Sequence, residues 1–250
     1  MNSPASTAAR LRVALLPEVI EPDPVGVCAV VDVIRASTTL VELAGAGDPE
    51  VWLAADHAAA RAAAVRLGTG VLLGGEEGGL RPQGYDFGNS PREVAAGAYA
   101  GRRAIFVTTN GTNALRRWST ARKTFVGALR NCSAVARCLV EEAGAAGSMT
   151  VVCAGKEGTL ALDDVYTAGV IVARILELRP EVELDETAIV ALRVARSQPD
   201  AEAALAESQS AQALVEVGLW DDVPYSAVLD ASSAVPELGG EGQLRLLEDG

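Results

Sequence analysis

The chain has 250 residues, 49% of them hydrophobic but only 4% aromatic, so it can bury a large core and must build it from aliphatic side chains. Its formal charge of −12 excludes a broad basic face for nucleic acid, because phosphate backbones are held by clustered Lys and Arg. No apolar run reaches membrane-spanning length and residues 1–12 lack the continuous apolar stretch of a secretory leader, so the expected compartment is the cytoplasm and no membrane partner is expected.

In chain order, β-branched apolar runs at 12–16, 28–34, 51–54, 71–73, 104–107, 124–126 and 150–153 predict strands. Helical patterns fall between most of them, at 38–46, 56–67, 91–98, 111–118 and 133–143. This alternation predicts an α/β fold, a layered α/β/α arrangement with a largely parallel or mixed sheet. From 160 onward the pattern becomes helix-rich, with helices at 162–178, 185–195, 199–206 and 208–218, then strand-like pieces at 223–229 and 243–247 and a fraying end at 248–250. Residues 1–250 read as one large domain or two closely packed subdomains with a boundary near 144–148. An apolar face on the 162–178 helix is compatible with a homodimer. Cys28, Cys132, Cys138 and Cys153 have no paired metal-ligand spacing and read as reduced thiols, with Cys28 and Cys153 filling the core.

Chemistry is expected at the strand ends, where loops of such sheets carry polar groups. The stretch 74–91, GGEEGGLRPQGYDFGNSP, holds glycines that let backbone approach a ligand and carboxylates available to a cation; the alternative is a long surface turn. Asp32 ends an apolar strand, where a carboxylate is costly unless paired or bound to metal. It reads either as a cation ligand beside an anion-binding Arg35, with Ser37 or Thr38 capping the next helix, or as half of an Asp32–Arg35 ion pair. Thr108, Thr109, Asn110, Gly111 and Thr112 form a strand-to-helix turn whose amides and hydroxyls could cradle phosphate oxygens, against the plainer reading of a helix cap. Asn131 could donate to substrate or cap a helix. Asp163 and Asp164 follow the glycine-bearing turn 154–159 and could ligate a metal or simply complement a helix dipole. The single histidine, His57, lies in a helical pattern away from these loops, which argues against His-dependent hydrolases and His-rich zinc sites.

Four segments, VVDVIRASTT at 30–39, GGEEGGLRPQGYDFGNSP at 74–91, TTNGTNAL at 108–115 and AGKEGTLALDDVYTAG at 154–169, resemble the 2-phosphosulfolactate phosphatase family in order and spacing. RNCSAVA at 130–136 and the region 208–222 extend the resemblance along most of the chain. It implies a Mg2+-dependent phosphomonoesterase acting on a small anionic 2-phosphorylated acid, in the family's case giving 3-sulfolactate on the route to coenzyme M. On that basis Asp32, Arg35 and Glu76 are the expected catalytic residues, and Asp32, Glu76, Asp163 and Asp164 the expected metal ligands. Ser37, Thr38, Asn89, Ser90, Asn131 and the 108–112 turn are expected to bind substrate. The chain departs from the family at Glu77, where an arginine is usual, and at Gln209 and Gln212, where basic residues are common. A carboxylate at 77 would repel an anionic substrate strongly if poorly solvated and weakly if exposed. Rival readings are a non-catalytic binder of phosphorylated acids and a phosphatase for another 2-phosphorylated carboxylic acid.

Overall fold

The computed structural model describes residues 8–47 and 49–246, so the expectations for the first seven residues, for Leu247 and for 248–250 lie outside it. The β-branched runs become strands β1 (Arg10–Ala14), β2 (Val27–Val31), β3 (Glu50–Leu53), β4 (Val71–Gly75), β5 (Arg103–Val107), β6 (Lys123–Gly127) and β7 (Ser148–Cys153). Three short strands join them: β8 (Glu183–Leu184), β9 (Pro236–Leu238) and β10 (Gln243–Leu246). Among the described residues these form one sheet of order β4-β5-β3-β10-β9-β6-β2-β7-β1-β8.

β4, β5 and β3 are mutually parallel, as are β6, β2, β7, β1 and β8. Antiparallel pairings of β3 with β10, β10 with β9 and β9 with β6 join these blocks, so the blocks run in opposite senses. Their carboxyl ends nevertheless meet. Arg35, beyond β2, donates from Nη2 to the carbonyl of Gly79, beyond β4, at 2.5 Å. The Glu157 amide, beyond β7, donates to Asn110 Oδ1, beyond β5, at 3.3 Å. Loops from both blocks therefore close on one place.

The helices are α1 (Ala36–Gly45), α2 (His57–Leu67), α3 (Pro91–Ala95), α4 (Gly111–Trp118), α5 (Cys132–Ala143), α6 (Leu162–Leu178), α7 (Glu186–Ser197), α8 (Ala201–Ala206), α9 (Gln209–Glu216) and α10 (Asp222–Ser226). β2 is buried at every position. Its two-residue period sends Val27, Ala29 and Val31 into one apolar cluster, shared with α5 to α9, and Cys28 and Val30 into another, shared with α1 and α4. Helices on both faces of the sheet give the layered α/β/α arrangement. The apolar face of α6 is used inside the chain: Val165, Ala168, Ile171, Val172 and Ile175 all join the first cluster. The larger of these side chains, those of Val165, Ile171, Val172 and Ile175, each contribute roughly 1.5–3 kcal/mol. A homodimer would need a different surface.

The strand-like reading of 223–229 is corrected to helix α10. Pro224 lacks the amide that a sheet ladder needs but suits the first turn of a helix, and Asp222 complements the dipole there. β8 and β9 carry no sequence pattern because two or three residues cannot show one. No helix of the described residues is long and apolar enough to cross a membrane.

Candidate active site

The chain leaves β2 in a polar turn held by its own hydroxyls. The Ser37 amide donates to the Asp32 carbonyl (2.8 Å), the Asp32 amide to Ser37 Oγ (3.1 Å), and Thr38 Oγ1 to the Val33 carbonyl (2.8 Å). Arg35, after a cis Ile34–Arg35 peptide, stands at the N-cap of α1 without a side-chain cap bond. The Asp32 carboxylate accepts from the Ala36 amide at 3.4 Å and lies against Gly111 at the start of α4. A Cβ on Gly111 would lie 2.7 Å from Asp32 Oδ2 and 2.7 Å from the Ala36 methyl, so only glycine lets α4 begin against this carboxylate.

Two other carboxylates fasten loops. Glu76 Oε1 accepts from the Thr109 amide (3.0 Å) and hydroxyl (2.8 Å), and Oε2 from the Gly79 amide (2.8 Å). Asp164 Oδ1 accepts from the Val33 amide (2.9 Å) and Oδ2 from the Gly155 amide (3.0 Å). Arg35 is fixed in turn by Asp222, whose Oδ2 lies 2.9 Å from Nη1 with the two side chains only 3% and 2% exposed. Asp222 Oδ1 accepts from Ser90 Oγ at 2.6 Å.

These loops surround a cavity of about 310 Å³. Asp32, Arg35, Glu76, Asn89, Thr108, Thr109, Asn110, Asp163 and Asp164 line it, together with Lys156, Glu157, Ser210 and Glu216 and an apolar wall of Ile34, Leu214 and Val217. Burial pushes the Asp32 carboxyl up to about 7, helped by the charges of Asp163 and Glu76. Burial raises Asp163 to about 6 against the opposing hydrogen bond from Ser210 and the charge of Lys156. Asp164 is held well above the ordinary range by burial and by the charges of Asp163 and Asp32. Three carboxyls so crowded resist simultaneous ionisation unless a cation joins them. Among the described residues no group of three or more His, Cys, Asp or Glu is arranged to hold a metal by itself.

Sequence reasoning brought nine of its residues to this cavity and others to its supports. Ser37 and Thr38 brace the Asp32 turn rather than cap α1 through their side chains. Ser90 caps α3 and anchors Asp222. The expected phosphate cradle is largely spoken for: the Thr109 amide and hydroxyl serve Glu76, and Thr108 and Thr112 bond each other through hydroxyls and amides. Asn131 lies in the core, donating to the Val126 and Ala234 carbonyls and accepting from the Ala128 amide, which leaves its side chain no reach to the cavity. Arg35 pairs with Asp222 and not with Asp32. Glu77, Gln209 and Gln212 are exposed and outside the cavity lining, so the carboxylate at 77 acts through solvent.

Two residues escaped sequence reasoning. Asp222 is 187 positions from its partner Arg35, and no local signal announces it. Lys156 did leave a signal, being one of two lysines among 21 basic residues and standing inside a glycine turn. Its Nζ donates to the Gln209 carbonyl at 3.0 Å.

Comparison with known sequences agrees with the geometry. A family profile described as 2-phosphosulpholactate phosphatase matches residues 14–241. A protein of Deinococcus radiodurans named probable 2-phosphosulfolactate phosphatase is 44% identical over 230 residues, covering 92% of this chain and 93% of the relative. One of the same name from Thermus thermophilus is 43% identical over 234 residues, covering 92% and 95%, and one from Carboxydothermus hydrogenoformans is 34% identical over 210 residues, covering 83% and 84%. With the matched profile spanning nearly all of the strand-end loops that build the cavity, the chain belongs to the 2-phosphosulpholactate phosphatase family.

Proposed function

We propose that this chain hydrolyses 2-phosphosulfolactate to 3-sulfolactate and phosphate, with Mg2+ as cofactor, in the cytoplasm. The observation that carries the reading is the convergence of Asp32, Arg35, Glu76, Asn110 and Asp163, drawn from four family-like segments, on one cavity.

The donor chemistry fits a hard divalent ion. Asp32 and Asp163 offer carboxylate oxygens to the cavity and are crowded enough to favour a cation, Asp32 holding the Ala36 amide only at 3.4 Å, whereas Glu76 and Asp164 hold a backbone amide on each oxygen at 2.8–3.0 Å. Mg2+ needs only one or two protein carboxylates and keeps water or substrate oxygens for the rest. Charge balance gives the same support: Asp32, Glu76, Glu157, Asp163, Asp164 and Glu216 face only Arg35 and Lys156, and a polyanionic substrate would be repelled without a bound cation. When bound, the ion would offset charge on the phosphoryl group and the leaving oxygen.

The chain's own residues do the positioning. Arg35 orients the phosphoryl group with N–H donors left over from Asp222 and Gly79, and its fixed guanidinium loses little freedom on binding. Asn89 and Asn110 flank the acid portion, while Ile34, Leu214 and Val217 exclude water and strengthen these charge interactions.

The test is phosphate release from 2-phosphosulfolactate, 2-phospholactate and phosphoglycerates, with Mg2+ and after chelation. The expected outcome is Mg2+-dependent release, fastest with 2-phosphosulfolactate. Thermal stabilisation by these acids with no phosphate released at any Mg2+ concentration would instead mark a binding protein.

A further inference from the structure

Lys156 is the cavity cation for which the reading above has no use. Arg35, the other cation, is matched by a buried carboxylate at 2.9 Å. Lys156 has, among the described residues, no carboxylate within ion-pair distance, and its ammonium hydrogen-bonds a neutral carbonyl, that of Gln209. It therefore brings to the rim of the cavity a positive charge that acts on Asp163 from a distance but is bound up in no direct ion pair.

Depth and donor shape indicate what that charge receives. Asp163 and Asp32 are 1% and 8% exposed and form the floor, while Lys156 is half-buried on the turn after β7. A substrate with its phosphoryl group on that floor would turn its far end toward the rim, where Lys156 stands. An ammonium is a point charge with three rotatable donors, able to meet the oxygens of a sulfonate, and the fixed, planar Arg35 fork is left for the phosphoryl group. The turn is pre-set for this: the Lys156 amide donates to the Thr159 carbonyl and the Thr159 amide to the Lys156 carbonyl, both at 2.9 Å, and Thr159 Oγ1 adds a bond of 2.7 Å. The bond from Nζ to Gln209 stretches the side chain across to the start of α9, whose Ser210 lines the cavity. Glu77, Gln209 and Gln212, outside the lining, supply no competing cation there.

We propose that Lys156 is the specificity residue that binds the sulfonate of the substrate, an assignment that rests on the phosphosulfolactate reading. The experiment compares Lys156→Gln and Lys156→Arg with the unmodified protein on 2-phosphosulfolactate and on 2-phospholactate, which lacks only the sulfonate. The expected result is a rise in KM of about 10- to 100-fold for 2-phosphosulfolactate in Lys156→Gln, as for a lost charge-assisted hydrogen bond. The loss on 2-phospholactate should be at least about tenfold smaller, and Lys156→Arg should recover part of the difference. Equal losses on both substrates, or a fall in kcat at unchanged KM, overturn the assignment. If the unmodified protein releases no phosphate, the activity reading fails by itself, and calorimetry with 3-sulfolactate against lactate still decides Lys156. Weaker binding of 3-sulfolactate in Lys156→Gln supports it; equal or absent binding in both proteins overturns it.

Discussion

Glu76 and Asp164 do the same job in the two oppositely running halves of the sheet. Each carboxylate spends one oxygen on the amide two residues beyond a strand end, Thr109 after β5 and Val33 after β2, and the other on a glycine amide of the adjoining loop, Gly79 or Gly155. The surroundings differ. Val33 and Gly155 are buried, whereas Thr109 is exposed and Gly79 half-buried. The same fastening is thus dry on one side of the cavity and wet on the other, and the comparison separates carboxylates that hold loops from Asp32 and Asp163, which remain for chemistry.

The largest expected effect tests that separation directly. Asp32→Asn should lower phosphate release by about a thousandfold or more, of the order of 4 kcal/mol in barrier, while circular dichroism and melting show the fold intact. Glu76→Gln keeps an acceptor for Thr109 and should cost about tenfold or less. Equal losses in the two variants would erase the distinction between loop-holding and reacting carboxylates.

Next comes stability. Asp164→Ala leaves the buried Val33 and Gly155 amides without acceptors and should cost about 2–5 kcal/mol in chemical denaturation. Glu76→Ala exposes amides that water already reaches, so about 1 kcal/mol or less is expected. Similar costs would mean that the dry and wet fastenings are not distinguished by solvent.

The acidic floor adds a pH dependence of definite sign. Asp32 and Asp163 are raised by burial to about 7 and about 6, above the value of roughly 4 for an unfolded aspartate, and Asp164 moves the same way. Below pH ~4 both states hold these protons and nothing is gained. As pH rises, the unfolded chain releases them first, so folding loses stability through the window up to about 7, at most about 1.4 kcal/mol per unit of difference. Metal-free protein should therefore melt higher near pH ~5.5 than near pH ~8. Added Mg2+ should raise the melting temperature more at the higher pH, where it no longer competes with protons. A metal-free melting temperature that climbs with pH over this window would show that the floor is not crowded as described.

Much of this was legible in the sequence, and the reasons are specific. Strand β2 and its Asp32 stand out because five apolar residues end in a carboxylate, and helices α4 and α6 announce both ends, at Gly111–Trp118 and Leu162–Leu178. The loops with unusual composition are those that line the cavity. What stayed hidden depends on long-range pairing: Asp222 with Arg35, the internal commitment of the Thr108–Thr112 donors, and the burial of the α6 face. Donor-rich residues show in sequence what could be offered, and only the fold shows what has already been accepted.

The smallest effect probes the backbone of the same two regions. Glu77 and Leu80 exchange amide bonds across a tight turn (2.9 and 3.2 Å), as Lys156 and Thr159 do (both 2.9 Å). In both turns the two central residues have positive φ, 59° and 81° at Gly78 and Gly79, and 50° and 74° at Glu157 and Gly158. The first central position is thus glycine in one turn and glutamate in the other, although a left-handed backbone disfavours a side chain by about 1 kcal/mol. Nothing lies within 4 Å of a Cβ placed on Gly78, so Gly78→Ala should cost about that amount through conformation alone. Glu157→Gly should return up to about 1 kcal/mol, less the entropy of the more flexible unfolded chain. Opposite shifts in denaturation midpoint at unchanged slope are expected. Shifts of the same sign would mean that the two turns, alike in their bonds, are held by different forces.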